Sequence, residues 1–484
     1  MENNCATYLG AKGYTIYKEC LTEKEQKTIR KELTVRPFAP KSSIVKPQAF
    51  QVYRESKSKF YLPRFYGVNT YGIPDEERIS SGKDIHLKFK GELRDFQKPI
   101  VDTYVKSALN NKCGLLHVAT GMGKTIMALN IISKLKKKTI IIVHKEFLLR
   151  QWLERIEQFL PDAKVGRIQG KILDIEDKDI VIGMLQSIAM KEYPPEVFSD
   201  FGLTITDETH HISAEVFSRS LFKVVTKYML GLSATMNRKD GLTKVIKMFL
   251  GEVVYKKERK GENNVLVRAI QYSNNDENFS KIELNFRGQV HYTKMIKKLC
   301  EFNRRSEFIL GVLKDILEEE VNEQIMILGH NKNLLKYLHD AISHRNIATV
   351  GYYVGGMKEK DLKISESKKV IIATYAMAEE GLDIKTLTTL LMATPRVDVT
   401  QAVGRILRRK HSQANVIDIV DQHPIFLRHW NKRRVFYTKQ KYNILITDME
   451  GYKNNKWEKI LKRNKKKPVI NPDEIFFKGQ CLIK

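Results

Sequence analysis

No apolar run in the chain approaches the ~20 residues that a membrane-spanning helix needs, and Met1-Glu2-Asn3-Asn4 does not open a signal peptide. Membrane insertion is not expected. Cysteine is scarce: Cys5, Cys20, Cys113, Cys300 and Cys481 lie far apart, with no C-x-x-C spacing. That argues against zinc and against a disulfide framework, and fits a reducing, intracellular compartment. The pair His210-His211 has no further ligands spaced to join it. Acidic side chains are also short, 56 against 84 lysines and arginines, a formal excess of +28 over 484 residues. Such an excess is the footprint of a polyanionic partner, nucleic acid first and acidic membrane second, with a solvated lysine-rich surface as the plain alternative. The length suits two or three domains, each with its own core.

What the chain does have is Val118-Ala119-Thr120-Gly121-Met122-Gly123-Lys124-Thr125, placed after the apolar stretch from Cys113 and before a helical pattern from Ile126 to Ile132. Strand, glycine-bearing turn and helix in that order make a phosphate cradle. The glycines let the backbone curl so that N–H groups point inward, where the helix N-terminus also favours an anion. Residues 119 to 125 would wrap the phosphates of a nucleoside triphosphate, with Lys124 on the outer phosphates and the Thr125 hydroxyl on magnesium. The one departure from the strict pattern is Val118, where a first glycine is usual.

Residues 1–88 read as a small α+β or β-rich accessory module. Short aromatic pieces at Thr34–Pro37, Phe50–Tyr53 and Lys59–Gly67 are broken there by proline and glycine. From 89 to 255, apolar runs at 139–143, 179–183, 203–207 and 229–233 alternate with helix-length segments, as buried strands of a parallel α/β sheet do. Residues 256–305 are charged and Asn-rich, a linker or helical insertion. A second alternating set fills 306–430, with runs at 324–328, 370–374, 389–393 and 416–420, and 431–484 reads as a basic tail carrying Lys462-Arg463-Asn464-Lys465-Lys466-Lys467. The fold class is α/β, two parallel-sheet lobes in tandem behind a small N-terminal module.

Asp207-Glu208-Thr209-His210 ends the third run of the first lobe. Two adjacent carboxylates at a strand terminus suit divided roles, in which Asp207 holds magnesium through water and Glu208 polarises the attacking water. His210 would link them to neighbouring polar groups. In the second lobe, Arg405 and Arg408 of Gln401-Ala402-Val403-Gly404-Arg405-Ile406-Leu407-Arg408 stand three apart and share a helix face.

Taken in order, these motifs resemble the superfamily 2 helicases of the DExH type over about residues 90 to 425. Leu93-Arg94-Asp95-Phe96-Gln97 is similar to the adenine-recognition element, which implies that Gln97 reads the base. The phosphate loop matches motif I, Asp207 to His210 motif II, and Ser233-Ala234-Thr235 motif III. Ala373-Thr374 with Glu380-Gly381-Leu382-Asp383 resembles motif V, implicating Gly381 and Asp383, and 401–408 resembles motif VI, implicating Gln401 and making Arg405 and Arg408 arginine fingers. Val403, where many DEAD-box members carry arginine, sets the chain apart from that group. Arg238-Lys239-Asp240 after motif III resembles the XPB-like branch, which includes helicases of large eukaryotic DNA viruses and a poxvirus member that works in transcript release.

The resemblance implies two RecA-like lobes, ATP and Mg2+ held between Lys124 and the motif VI arginines, and a largely sequence-independent grip on nucleic acid. The branch makes DNA the preferred polymer over RNA and transcription machinery a candidate partner, in host cytoplasm or nucleus or in the virion. Backbone contacts are expected from His144-Lys145-Glu146 and from Gln186 and Ser187, while Trp152 reads as core. A duplex translocase that separates no strands, an ATPase switch in a transcription complex and an RNA helicase are the alternatives. A restriction-type nuclease is disfavoured, since no carboxylate–lysine cluster of that kind is evident.

Overall fold

Runs of β-branched and aliphatic residues, buried on both faces in the inner strands, build two sheets of eight strands each. The computed structural model describes residues 7–38, 47–110, 113–208, 214–234, 240–258, 264–319, 323–380, 384, 386–407 and 413–460. The chain divides into two compact units, Met1–Lys260 and Gly261–Lys484.

In the first unit the large sheet runs Ile172–Asp174, Val165–Gln169, Ile180–Met184, Thr139–Val143, Leu203–Asp207, Tyr228–Ser233, Gly114–Val118, Val253–Lys257. Every pairing is parallel except that of Ile172–Asp174 with Val165–Gln169. Parallel strands need crossovers, and the helices Lys124–Leu135 and Glu146–Phe159 pack their apolar faces into the core that the sheet buries. This is a RecA-like lobe, and the expected strands fall within a residue or two of their sequence positions.

The N-terminal module is a five-stranded sheet whose own core includes Tyr14, Ile16, Ile29, Phe60 and Leu62. Its helix Glu23–Glu32 starts at a capping box between Thr22 and Glu25. Lys59–Leu62 is a strand as expected, but Arg64–Tyr71 is a helix, because Pro63 ends the strand and serves as the helix N-cap. The buried Arg64 donates to the carbonyls of Thr226 and Lys227, joining module to lobe. Cys20 is disulfide-bonded, so the scattered cysteines are not all free thiols.

In the second unit the order is Val350–Tyr353, Val370–Thr374, Gln324–Gly329, Leu387–Met392, Ala414–Asp421, Val265–Tyr272, Asn443–Asp448, Glu458–Lys459, parallel throughout except the last pair. Two expectations are corrected here. Val265–Tyr272, read as linker, is an inner strand paired in parallel with both Ala414–Asp421 and Asn443–Asp448. Residues 431–460, read as tail, hold the end of the helix Pro424–Lys439 and two strands. Arg268 interrupts the apolar run of the first strand, and it is accommodated by an ion pair with Glu319. Among the described residues no helix is long and apolar enough to cross a membrane.

Candidate active site

The order of strands decides which loops meet. Leu203–Asp207, Tyr228–Ser233 and Gly114–Val118 are neighbours, and the register sets Asp207 beside Leu232 and Ser233 beside His117. The carboxyl ends of these three strands therefore bring the phosphate loop, the acidic pair and Ser233-Ala234 to one edge, where open α/β sheets bind ligands.

The loop is shaped as the cradle requires. Gly121 and Gly123 have φ of +79° and +82°, and a Cβ on Gly123 would stand 2.5 Å from the Gln97 amide nitrogen, so glycine is needed there for backbone and for space. Gly123 caps the helix Lys124–Leu135 without a side-chain hydrogen bond, which leaves the first-turn N–H groups to a ligand. Ala119, Thr120, Met122 and Thr125 are half-buried around it. The Thr120 hydroxyl is buried and has no hydrogen-bond partner, a polar atom that a phosphate oxygen would satisfy.

Gln97 lies against the loop. Its amide nitrogen donates to the Met122 carbonyl at 2.8 Å and its oxygen accepts from the Arg94 amide at 2.9 Å.

Lys124 and Glu208 form an ion pair at 3.2 Å. Glu208 follows the strand in a left-handed turn, φ +48°, and its amide donates to Asp207 Oδ1 at 2.9 Å. This turn directs the two adjacent carboxylates differently. Asp207 Oδ2 accepts from the Trp152 indole at 2.9 Å. Burial, with the charge of Glu208 adding to it, pushes the Asp207 pKa up to about 6, while Lys124 and the indole oppose the shift. A buried carboxylate in that condition gains from a cation beside it, so Asp207 with Thr125 fits a hard metal bound with phosphates.

Two members of this site escaped sequence reasoning. Trp152 is core, 1% exposed as expected, but it also orients Asp207. His117 reaches from the strand before the phosphate loop to the Ala234 carbonyl at 3.1 Å. Neither has a sequence signal, since one sits in an amphipathic helix and the other in a strand. Trp152→Phe is expected to lower turnover about tenfold, as loss of a charge-assisted hydrogen bond would. The KM for ATP should stay within ~3-fold, and steady-state kinetics would read the split.

The nucleic-acid candidates of this lobe also adjoin one another. Gln186 donates to the His144 carbonyl at 3.4 Å, and Ser187 Oγ accepts from the Gly170 amide at 2.9 Å.

In the second unit, Arg405 lies on the helix Thr400–Ile406, is buried, and donates from Nε to the Ala378 carbonyl at 2.7 Å, joining the stretches that resemble motifs VI and V. Gln401 is half-buried on the same helix. Nearby is a cluster that the sequence did not single out. His330 meets the Thr394 hydroxyl at 2.8 Å, Tyr375 donates to the Thr394 carbonyl at 2.7 Å, and the Arg396 guanidinium lies 5.4 Å from the Tyr375 ring centroid. Burial, helped by Arg396, lowers the His330 pKa to about 4, so its ring is neutral at pH 7. His210, Thr235, Gly381, Asp383, Arg408 and the basic run 462–467 lie outside the described residues.

A family model described as "Type III restriction enzyme, res subunit" matches residues 90–238. The chain is 34% identical over 460 residues to "Putative ATP-dependent RNA helicase L396" of Acanthamoeba polyphaga mimivirus, covering 92% of this chain and 87% of that protein. The chain belongs to the superfamily 2 helicases.

The helicase is also 27% identical over 380 residues to QP509L of African swine fever virus, which carries the same description, with 73% of this chain and 74% of that protein covered. With "DNA 3'-5' translocase XPB2" of Sulfurisphaera tokodaii it shares 26% identity over 375 residues, 69% of this chain and 82% of the other. Viral and XPB-type relatives together bear out the branch, ATP dependence and a nucleic-acid partner.

Proposed function

We propose that the helicase couples Mg2+-dependent ATP hydrolysis at Lys124, Asp207 and Glu208 to movement along DNA, with little regard to sequence. The Lys124–Glu208 pair carries the mechanism. The phosphates of ATP compete for the Lys124 ammonium, and its withdrawal releases Glu208 to accept a proton from the attacking water. Backbone N–H groups of residues 119–125 bind the phosphates, and Gln97 sets the loop and reads the adenine. Thr125 and Asp207 would hold Mg2+, whose charge would offset that of the phosphates. Trp152 keeps Asp207 aimed. The resemblance to motif VI assigns Arg405 and Arg408 the charge-stabilising role of arginine fingers, a contribution of ~10³–10⁵.

DNA is preferred on the XPB2 relative's name; RNA is the second reading, favoured by the names of the viral relatives. A role with transcription machinery in an infected cell belongs to the same proposal and rests on the company of viral relatives. The deciding measurement is steady-state ATPase rate with single-stranded DNA, duplex DNA, single-stranded RNA and no polymer, with Lys124→Ala as control. Stimulation by DNA alone supports the proposal, by RNA alone overturns the choice of polymer, and by neither points to a partner-activated switch. Affinity for the stimulating polymer is expected to fall with salt at a slope of ~0.9 per duplex phosphate contacted. A flat salt response in a titration would contradict backbone gripping.

A further inference from the structure

After the strand Val265–Tyr272 and before the helix Tyr292–Glu301, the second unit holds a small hairpin over 282–290. Leu284 and Val290 pair as an antiparallel bridge. The Asn285 amide donates to the Gln289 carbonyl, and the His291 amide to the Glu283 carbonyl, both at 2.7 Å. Its turn is locked from within. Asn285 Oδ1 accepts from the amides of Arg287 and Gln289 at 2.9 and 3.0 Å, and Gly288, at φ +68°, donates to the Asn285 carbonyl.

The base is equally fixed. Lys298 on the following helix donates to the Lys281 carbonyl at 2.6 Å and pairs with Glu283 at 2.8 Å. The Glu283 amide meets the Met295 sulfur at 3.3 Å. On this rigid stem the apolar side chains point to solvent: Leu284 is 53% exposed and Phe286, at the tip, 79%. A single exposed apolar residue is ordinary, but an aromatic ring held out on a braced turn beside a second apolar side chain needs a reason.

Charge and position name the partner. Arg287 pairs with no carboxylate among the described residues, and three lysines, Lys281, Lys294 and Lys298, surround the hairpin's one acid, Glu283, whose ion pair is with Lys298. The Arg287 guanidinium lies 5.1 Å from the Phe286 ring centroid. A flat exposed ring with a guanidinium against it, above a base carrying further lysines, matches a nucleobase next to phosphates. The hairpin follows the carboxyl end of its strand, and the short helix leading into it is tied there by a hydrogen bond of 2.7 Å between His423 and the Phe279 carbonyl. This is the edge at which Val370–Thr374 and Ala414–Asp421 also end, the ligand edge of a parallel sheet.

We propose that this hairpin is a nucleobase wedge: Phe286 stacks on the terminal base pair where duplex meets single strand, and Lys281, Arg287 and Lys294 hold the adjoining phosphates. The proposal rests on the reading of the chain as a nucleic-acid motor, and makes it a motor that separates strands.

The test uses the full chain and a tailed duplex with 2-aminopurine in the terminal pair. Without ATP, wild type is expected to quench the 2-aminopurine on binding, Phe286→Ala to lose most of the quench and Phe286→Trp to keep it. With ATP, Phe286→Ala should unwind about tenfold more slowly, the scale of one lost base–aromatic stack, while polymer-stimulated ATPase stays within ~2-fold. Equal quenching and unwinding by Phe286→Ala and wild type would overturn the proposal and leave the tip to a protein partner. A matched loss of ATPase and unwinding that tryptophan does not rescue would overturn it too. If wild type unwinds nothing, the strand-separating reading fails by itself, and the quench still decides the stacking.

Discussion

Glu208→Gln is expected to cut steady-state ATP hydrolysis by ~10²–10⁴-fold, the range for loss of a general base, with ATP affinity held within ~3-fold. Glutamine keeps the shape and the hydrogen bond to Lys124 but cannot take a proton from water. Glu208 is set for that role by its left-handed turn after Asp207 and by its 3.2 Å pair with Lys124, in a position where the two side chains are only 19% and 10% exposed. Lys124→Ala should fail differently. It removes the cation that the outer phosphates would displace from Glu208, so ATP binding and hydrolysis fall together, hydrolysis by at least ~10²-fold. Equilibrium binding of a fluorescent ATP analogue beside single-turnover hydrolysis separates the two patterns. Wild-type hydrolysis by Glu208→Gln would remove the water-activating role from this residue.

Much of this site is legible in the sequence because its chemistry is local. A phosphate loop is strand, turn and helix within some twenty residues, and the acid pair ends its own strand, so apolar runs bounded by glycine or by charge locate both. Strands buried on both faces are legible for the same reason: Thr139–Val143 contains no polar residue except its first threonine. Val265–Tyr272 escapes because Arg268 and Gln271 give it an uneven pattern of buried and half-buried positions, and its parallel partners come from residues 414–421 and 443–448. Pairing over such separations leaves no local trace. Trp152 shows the opposite limit, since its burial is foreseeable and its bond to Asp207 is not: that bond depends on which helix covers which strand. The hairpin at 282–290 is short, charged and held by side-chain hydrogen bonds, and reads in sequence as linker.

Arg433→Met is expected to destabilise the second unit by ~3–5 kcal/mol, the cost of leaving a buried charge without its partner. Arg433 donates from Nε and from a terminal nitrogen to the two oxygens of Asp418 at 2.7 and 2.8 Å, and both side chains are 1% exposed. Removing the guanidinium leaves that carboxylate inside the core with the Tyr437 hydroxyl, at 3.3 Å, as its remaining side-chain donor among the described residues. The double variant Asp418→Leu/Arg433→Met removes both charges and should recover most of the loss, because two apolar side chains need no partner there. Urea unfolding of the full chain, followed by a probe in the second unit, would read both. A single variant within ~1 kcal/mol of wild type would show that the pair contributes little. Stability is not the whole effect, because Arg433 also donates to the Arg396 carbonyl, just ahead of the helix Thr400–Ile406 that carries Gln401 and Arg405. The double variant regains the core without regaining that anchor. Its unfolding midpoint should therefore approach wild type while its polymer-stimulated turnover stays below it, and full recovery of both would show that the Arg396 segment is held by other contacts.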